Sequence, residues 1–266
     1  MQPCRLITIP FSHYCEKARW ALDYAGIPYE EDKHLPVFHL LAVKGVGGRR
    51  EVPVVVTPTG VVEDSTAILH WIDGQLPADR RLFPAPISAS AEATPGDPAD
   101  LAVGAEVARW EDRFDEVVGP HVRRWAYGHL LPDRPRAVRL ITRQVPGWQA
   151  TALRIAWPMV TGAMARGMKI TPESVARSLA KVEAVFGEVD ALLADGRPYL
   201  VGDRFTAADL TFAALAAPAV LPDGYARWLG GLDEAPPSML PKIDEFRASR
   251  AGRHVLAMYT AHRGLA

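Results

Sequence analysis

Hydrophobic and polar positions change period partway along the chain. Near the N-terminus, Cys4-Arg5-Leu6-Ile7-Thr8-Ile9 alternates like a half-buried strand, and from Cys15 onward Ala18, Leu22 and Ala25 recur at helical spacing until Gly26 stops the helix. A second strand is predicted from Tyr29 to Lys33. An irregular stretch with Gly45, Gly47 and Gly48 follows, then a hairpin of Val54-Val55-Val56 and Val61-Val62 about the turn Thr57-Pro58-Thr59-Gly60. The next helix carries Ile68, Leu69, Ile72 and Leu76 on one side, a face suited to packing on the sheet. Beyond a segment with Pro84, Pro86, Ser88, Ser90, Pro95, Gly96 and Pro98, strand signals nearly vanish. Val107, Trp110, Phe114 and Val117, then Val175, Leu179, Val182, Phe186, Val189 and Leu193, repeat with the helical period.

This pattern divides the chain into an α/β domain over residues 1–78, a linker over 79–100 and an all-helical domain over 101–266. Between Val118 and Thr171 the helical periodicity is interrupted by Pro132, Pro135, Pro146-Gly147 and Trp157-Pro158. The 266 residues suffice for a core without staples, and the two cysteines are too few for a secreted disulfide framework. With no signal-peptide pattern and no apolar run of membrane-spanning length, a cytoplasmic protein outside the membrane is expected. The formal net charge of −1 supplies no basic field for nucleic acid. The histidines, for example His121 and His129, lack paired ligand spacing, so no metal site is expected.

The candidate chemistry begins where the first strand turns into the first helix. Ser12-His13-Tyr14-Cys15 spaces a hydroxyl and a thiol as Ser-x-x-Cys at a helix N-terminus, where unpaired N–H groups and the macrodipole favour a thiolate. Serine is also a favoured helix cap, and both roles stay open at this point. Val52-Pro53 stands at a strand start, where proline withholds a ladder hydrogen bond. Glu63-Asp64-Ser65 places a carboxylate and a hydroxyl at a strand-to-helix turn, able to cap the helix or to receive a zwitterion.

In order along the chain, Pro10-Phe11-Ser12, Cys15-Glu16-Lys17-Ala18-Arg19, Val52-Pro53-Val54-Val55 and Glu63-Asp64-Ser65-Thr66-Ala67-Ile68 resemble the glutathione transferase superfamily. In the helical half, Gly202-Asp203-Arg204-Phe205-Thr206-Ala207-Ala208-Asp209-Leu210 is similar to that family's structural capping box and hydrophobic staple. There Thr206 caps a helix, Asp209 reaches back to the Thr206 N–H, and Phe205 meets Leu210. The resemblance implies a thioredoxin-like N-terminal domain, a helical C-terminal domain and a homodimer. It implies glutathione, or a related small thiol, as co-substrate, with no permanently bound cofactor.

By the same resemblance Pro53 is cis and the Val52 backbone pairs with the cysteinyl unit, while Asp64 and Ser65 hold the γ-glutamyl end. Arg49, Arg50 and His39 are candidates for the glycyl carboxylate. Ser12 donates to the thiolate, which attacks a hydrophobic electrophile; Tyr14 is an alternative donor. Cys15 supports a competing reading, thiol-disulfide exchange like that of glutaredoxins, and a non-catalytic binding protein on the same fold is a third. The extended region 118–171 is expected to build the co-substrate pocket or an interface.

Overall fold

The computed structural model describes residues 3–84 and 98–264. A four-stranded sheet is formed by β1 (Cys4–Thr8), β2 (Tyr29–Lys33), β3 (Val54–Thr57) and β4 (Gly60–Glu63), in the order β2-β1-β3-β4. β1 runs parallel to β2 and antiparallel to β3, and β3 and β4 close the expected hairpin with Thr57 opposite Gly60. The parallel β1–β2 pair requires a crossover, which α1 (His13–Ala25) supplies before Gly26 ends it in the left-handed conformation. Between β2 and β3 lies α2 (His39–Gly45), and α3 (Ser65–Asp73) follows the hairpin.

β1 departs from simple half-burial: Leu6, Ile7 and Thr8 are all buried. As a central strand it has cover on both faces. Leu6 and Val55 join the core shared with α1 and α3, whereas Ile7 and Val54 join a smaller cluster with Val43 of α2. The stretch expected to be irregular around Gly45 is partly helical, since α2 runs up to that glycine.

The helical domain contains α4 (Pro98–Arg113), a π-helical turn (Phe114–Val118), α5 (Gly119–Leu130), α6 (Arg134–Ile141), α7 (Gly147–Gly167), α8 (Pro172–Leu192), α9 (Ala207–Val220), α10 (Asp223–Leu229), α11 (Leu240–Ala248) and α12 (Arg250–His262). Most of the expected linker 79–100 lies outside the described residues; of its ends, Ala78–Arg80 form a short 3-10 turn and Pro98 opens α4. Every residue of α9 is buried, as befits a helix at the centre of a domain. It starts at the expected box: an Asp209 carboxylate oxygen accepts from the Thr206 N–H at 3.0 Å and from the Thr206 hydroxyl at 3.0 Å. Pro158, expected as an interruption, lies inside the continuous α7.

The two domains meet through α1, buried almost entirely from His13 to Leu22. The charged run Glu16, Lys17 and Arg19, which a local reading would leave in water, is fully buried and partnered from distant segments. Lys17 Nζ donates to Thr66 Oγ1 at 2.9 Å and to Asp115 Oδ1 at 2.8 Å, and also contacts Glu111. Arg19 donates to Glu31 at 2.7 Å and lies over the Trp228 ring, while Arg263 donates to Glu16 at 2.6 Å. Buried charges of this kind persist only with such partners, and losing one partner strands the other.

Candidate active-site cleft

α1, α2, α3, the segment before β3 and the helical domain enclose a cavity of about 440 Å³. Of the residues singled out from the sequence, Ser12, Tyr14, His39, Arg50, Val52, Pro53, Asp64 and Ser65 line it. Cys15 and Arg49 are not among its lining residues. Arg49 is exposed, and its backbone N–H is held by a Glu63 carboxylate oxygen at 2.6 Å.

Ser12 is the N-cap of α1. Its Oγ accepts from the Cys15 N–H at 3.4 Å, a long bond, and its own proton has no oxygen or nitrogen acceptor among the described residues, the Cys15 sulfur being the acceptor nearby. Capping uses the oxygen and donation uses the hydrogen, so one serine can do both. Cys15 is fully buried, and burial pushes its thiol up to about 11 despite the nearby Arg19 guanidinium, the Ile9 backbone and the Ser12 hydroxyl. A thiol in that condition is largely protonated at neutral pH and has no route to a disulfide, which weighs against exchange chemistry at Cys15.

Tyr14 and His13 tie the cleft to the helical domain. In the π-helical turn the Gly119 N–H reaches back five residues to the Phe114 carbonyl. The next amide in that register belongs to residue 120, a proline with no N–H, which leaves the Asp115 carbonyl without a backbone donor. The Tyr14 hydroxyl donates to it at 3.0 Å, so its single proton is engaged and is not offered to a thiol in this arrangement. Burial, then the Asp115 carboxylate, raises the Tyr14 phenol further above its ordinary range. His13 Nε2 donates to the Gly119 carbonyl at 2.9 Å; burial first, then the Arg123 guanidinium, brings its imidazole down to about 3, so it is neutral.

At the α3 end, Asp64 holds φ at 78°, a conformation costly for a residue with a Cβ. Its Oδ1 accepts from the Thr66 N–H at 2.9 Å and the Ala67 N–H at 3.1 Å. The Ser65 N–H, first of the helix, has no partner among the described residues, and the Ser65 hydroxyl reaches Asp115 Oδ1 at 3.5 Å. An amide at a helix N-terminus beside two carboxylates suits a group carrying both charges. Opposite, the Val52–Pro53 bond is cis, and neither the N–H nor the C=O of Val52 has a partner among the described residues. Next to it the Arg50 carbonyl accepts from His39 Nε2 at 3.1 Å, leaving the buried His39 Nδ1 without a partner. Burial lowers the His39 imidazole below its usual range.

The rest of the cavity comes from the helical half. Tyr127, Leu130, Leu140, Met164, Met168, Leu221, Leu229 and Met239 make an apolar wall, into which, among the described residues, Arg123 and Asp115 bring the helical-domain charges. Five of these apolar residues belong to 118–171, so the extended region does build the cleft. Asp115, Arg123, His13 and Gly119 were missed from sequence; Pro120 directly after Gly119 was the available sign of a broken helical ladder. Among the described residues no group of three or more His, Cys, Asp or Glu is placed to hold a metal ion, and no helix is long and apolar enough to cross a membrane.

Comparison with known proteins gives these elements a context. Residues 6–80 match the family described as glutathione S-transferase, N-terminal domain, and residues 172–239 match the glutathione S-transferase C-terminal domain. A glutathione S-transferase of Ceriporiopsis subvermispora, solved in complex with glutathione, is 18% identical with a TM-score of 0.61, covering 100% of this chain and 99% of that one. A glutathione transferase of Phanerochaete chrysosporium is 16% identical with a TM-score of 0.61, at 100% and 99% coverage. The beta-etherase LigF of a Sphingobium strain is 18% identical with a TM-score of 0.55, at 96% and 99%. At these identities the likeness is one of fold. No curated protein matches the sequence.

Proposed function

Because the chain belongs to the glutathione transferase superfamily, we propose that its cleft binds glutathione, or a related small thiol, and activates the thiol for attack on a hydrophobic electrophile. The observation that carries this reading is the Ser12 hydroxyl. It lines the cavity at the N-terminus of α1 with no oxygen or nitrogen acceptor for its proton among the described residues, and the unpaired Val52 backbone and the first turn of α3 line the same cavity.

In the proposed complex the cysteinyl backbone pairs strand-like with Val52, the γ-glutamyl end meets Ser65 with the Asp64 and Asp115 carboxylates, and Arg50 receives the glycyl carboxylate while His39, its one N–H given to the Arg50 carbonyl, braces that backbone. The thiolate accepts from Ser12. A free thiol has a pKa of about 8.5, and lowering it by two units needs roughly 2.7 kcal/mol of preference for the anion. A hydrogen bond to a charged group contributes about 1.5 to 3 kcal/mol, and the helix-terminal amides add several tenths. These contributions together have the required size. The electrophile would lie on the apolar wall, and attack by sulfur on its carbon expels a leaving group or saturates a double bond. A homodimer in the cytoplasm is part of the same proposal.

Replacing Ser12 with Ala tests it. Turnover with glutathione and an activated aryl halide should fall by about 10- to 150-fold, the loss of one hydrogen bond to an anion. Glutathione affinity measured by calorimetry near pH 7 should change little, because the bound thiol gains the bond mainly on ionising. Undiminished turnover would overturn the role of Ser12, and absence of glutathione binding to the native protein would overturn the transferase reading.

A further inference from the structure

The cavity holds two guanidinium groups without ion-pair partners among the described residues, and the glycyl carboxylate of the proposed co-substrate accounts for one, Arg50. The other is Arg123. It lines the cavity from α5, is exposed, and makes no side-chain hydrogen bond or salt bridge among the described residues. The adjacent Arg124 is a useful contrast: it turns away, donating to the Met168 carbonyl at 2.7 Å and to Ser178 at 3.0 Å. Nor does the nearby acid Asp115 neutralise Arg123, since its carboxylate is bound by Lys17 at 2.8 Å.

Position separates Arg123 from the tripeptide's γ-glutamyl end. Asp115, which meets Ser65, lies eight residues earlier on a nearly continuous helix, and eight residues span roughly 12 Å. Between the two stands Tyr14, whose hydroxyl touches the Asp115 carbonyl and whose ring lies 5.8 Å from the Arg123 guanidinium carbon. Arg123 therefore sits beyond the Ser12-His13-Tyr14 turn, beside the apolar wall of Tyr127, Leu130, Met164 and Met168. A free planar fork of donors next to an aromatic ring and an apolar surface is suited to a carboxylate carried on an apolar body.

Building on the transferase reading, we infer that the second substrate is an amphipathic carboxylate, an aromatic or similarly apolar electrophile whose carboxylate is received by Arg123. The apolar wall takes the body, and the cation fixes its orientation toward the thiol. Arg123 is thus a specificity-determining residue.

The test uses the full-length protein and the matched ligands 4-nitrobenzoate and 4-nitrobenzamide, which differ in charge and little in shape. In calorimetric titrations the native protein should bind the acid about fivefold or more tightly than the amide, a modest factor because Arg123 is exposed. Arg123→Gln should abolish that preference while the amide's affinity moves less than about twofold, which also reports an intact pocket; Arg123→Lys should retain part of it. No preference in the native protein, or a preference that survives in Arg123→Gln, would overturn the inference. Glutathione titrated into the same samples reads the other proposal separately. Carboxylate selectivity without glutathione binding overturns the transferase reading and supports the anion subsite; glutathione binding without selectivity does the reverse.

Discussion

The contact between Gly119 and Tyr14 makes a prediction whose sign reverses with context. A Cβ placed on Gly119 would lie 2.1 Å from the Tyr14 hydroxyl oxygen and 2.5 Å from its Cζ. Ordinary heavy-atom contact begins near 3.5 Å, so the ring would have to retreat by more than about 1 Å. It would then surrender its bond to Asp115, whose carbonyl has no backbone donor in the π-helical register because residue 120 is proline. Gly119→Ala therefore brings an overpacking cost of about 1 to 3 kcal/mol and a stranded carbonyl worth about 1 to 2 kcal/mol. Against these stands about 0.8 to 1 kcal/mol gained by alanine over glycine in a helix, available because φ at Gly119 is −52°. The net expectation is destabilisation of about 2 kcal/mol.

In a Tyr14→Ala background the obstacle is gone and only the helical gain remains, so the same Gly119→Ala change should stabilise by up to about 1 kcal/mol. Denaturant unfolding of the native protein, both single variants and the double variant closes the cycle and isolates the coupling. If Gly119→Ala stabilises both backgrounds equally, the packing argument is wrong. Tyr14→Phe adds a functional arm. With the phenol proton committed to Asp115, its removal should cost about 1 kcal/mol of stability but lower turnover less than about threefold; a loss as large as that expected for Ser12→Ala would move the thiol donor from Ser12 to Tyr14.

Two further outcomes concern buried polar groups away from the thiol. Asp209 is fully buried and accepts from the Leu200 N–H at 2.8 Å, the Thr206 N–H at 3.0 Å and His254 Nε2 at 3.0 Å, so Asp209→Ala strands all three. The expected cost is about 3 to 5 kcal/mol, or roughly 10 °C in melting temperature for a chain of this size; an unchanged melting temperature would refute it. His13 is neutral in the fold because burial brings it down to about 3, whereas an unfolded imidazole titrates near 6.5. Between those values the unfolded chain binds a proton that the folded chain does not. This contribution to stability is therefore fully present above pH 6.5 and lost as the pH falls toward 3. His13→Gln keeps a donor for Gly119 and does not titrate, so the slope of unfolding free energy between about pH 4.5 and 6 should drop by roughly 1.4 kcal/mol per pH unit. Identical slopes would show that His13 is not the group responsible.

What could be read from the chain and what could not divides along the range of the interactions. The hairpin of Val54–Val56 and Val61–Val62 was legible because alternation and a Pro-Thr-Gly turn are local. The box of Thr206 and Asp209 was legible for the same reason, its partners being three residues apart. Ser12, Val52, Asp64 and Ser65 were placed by order along the chain, and they do meet in one cavity. Arg49 and Arg50 were indistinguishable by type and spacing; only the backbone turn before β3 puts Arg50 on the cleft and Arg49 outside it. Cys15 and Ser12, three residues apart on one turn, differ because a cap lies at the surface of the helix end while the next position turns inward.

The prolines of the helical half show most directly why local signals fail there. Pro158 reads as a break because it withholds the N–H owed to the Arg154 carbonyl four residues earlier. In the fold that carbonyl accepts from the Arg134 guanidinium at 3.1 Å, and α7 continues. Pro120 withholds its amide from Asp115, and a tyrosine from the other domain answers instead. In each case a vacancy in the helical ladder is filled by a side chain 20 or 101 residues away. The second case matters for chemistry, because the donor is the residue two places after Ser12. The break in the ladder thereby ties the first turn of α1 to the helical domain, and the same stretch of helix carries Arg123 to the cleft. Proline at 120 thus bears on the geometry of the cleft, although it touches neither the proposed thiol nor its partner.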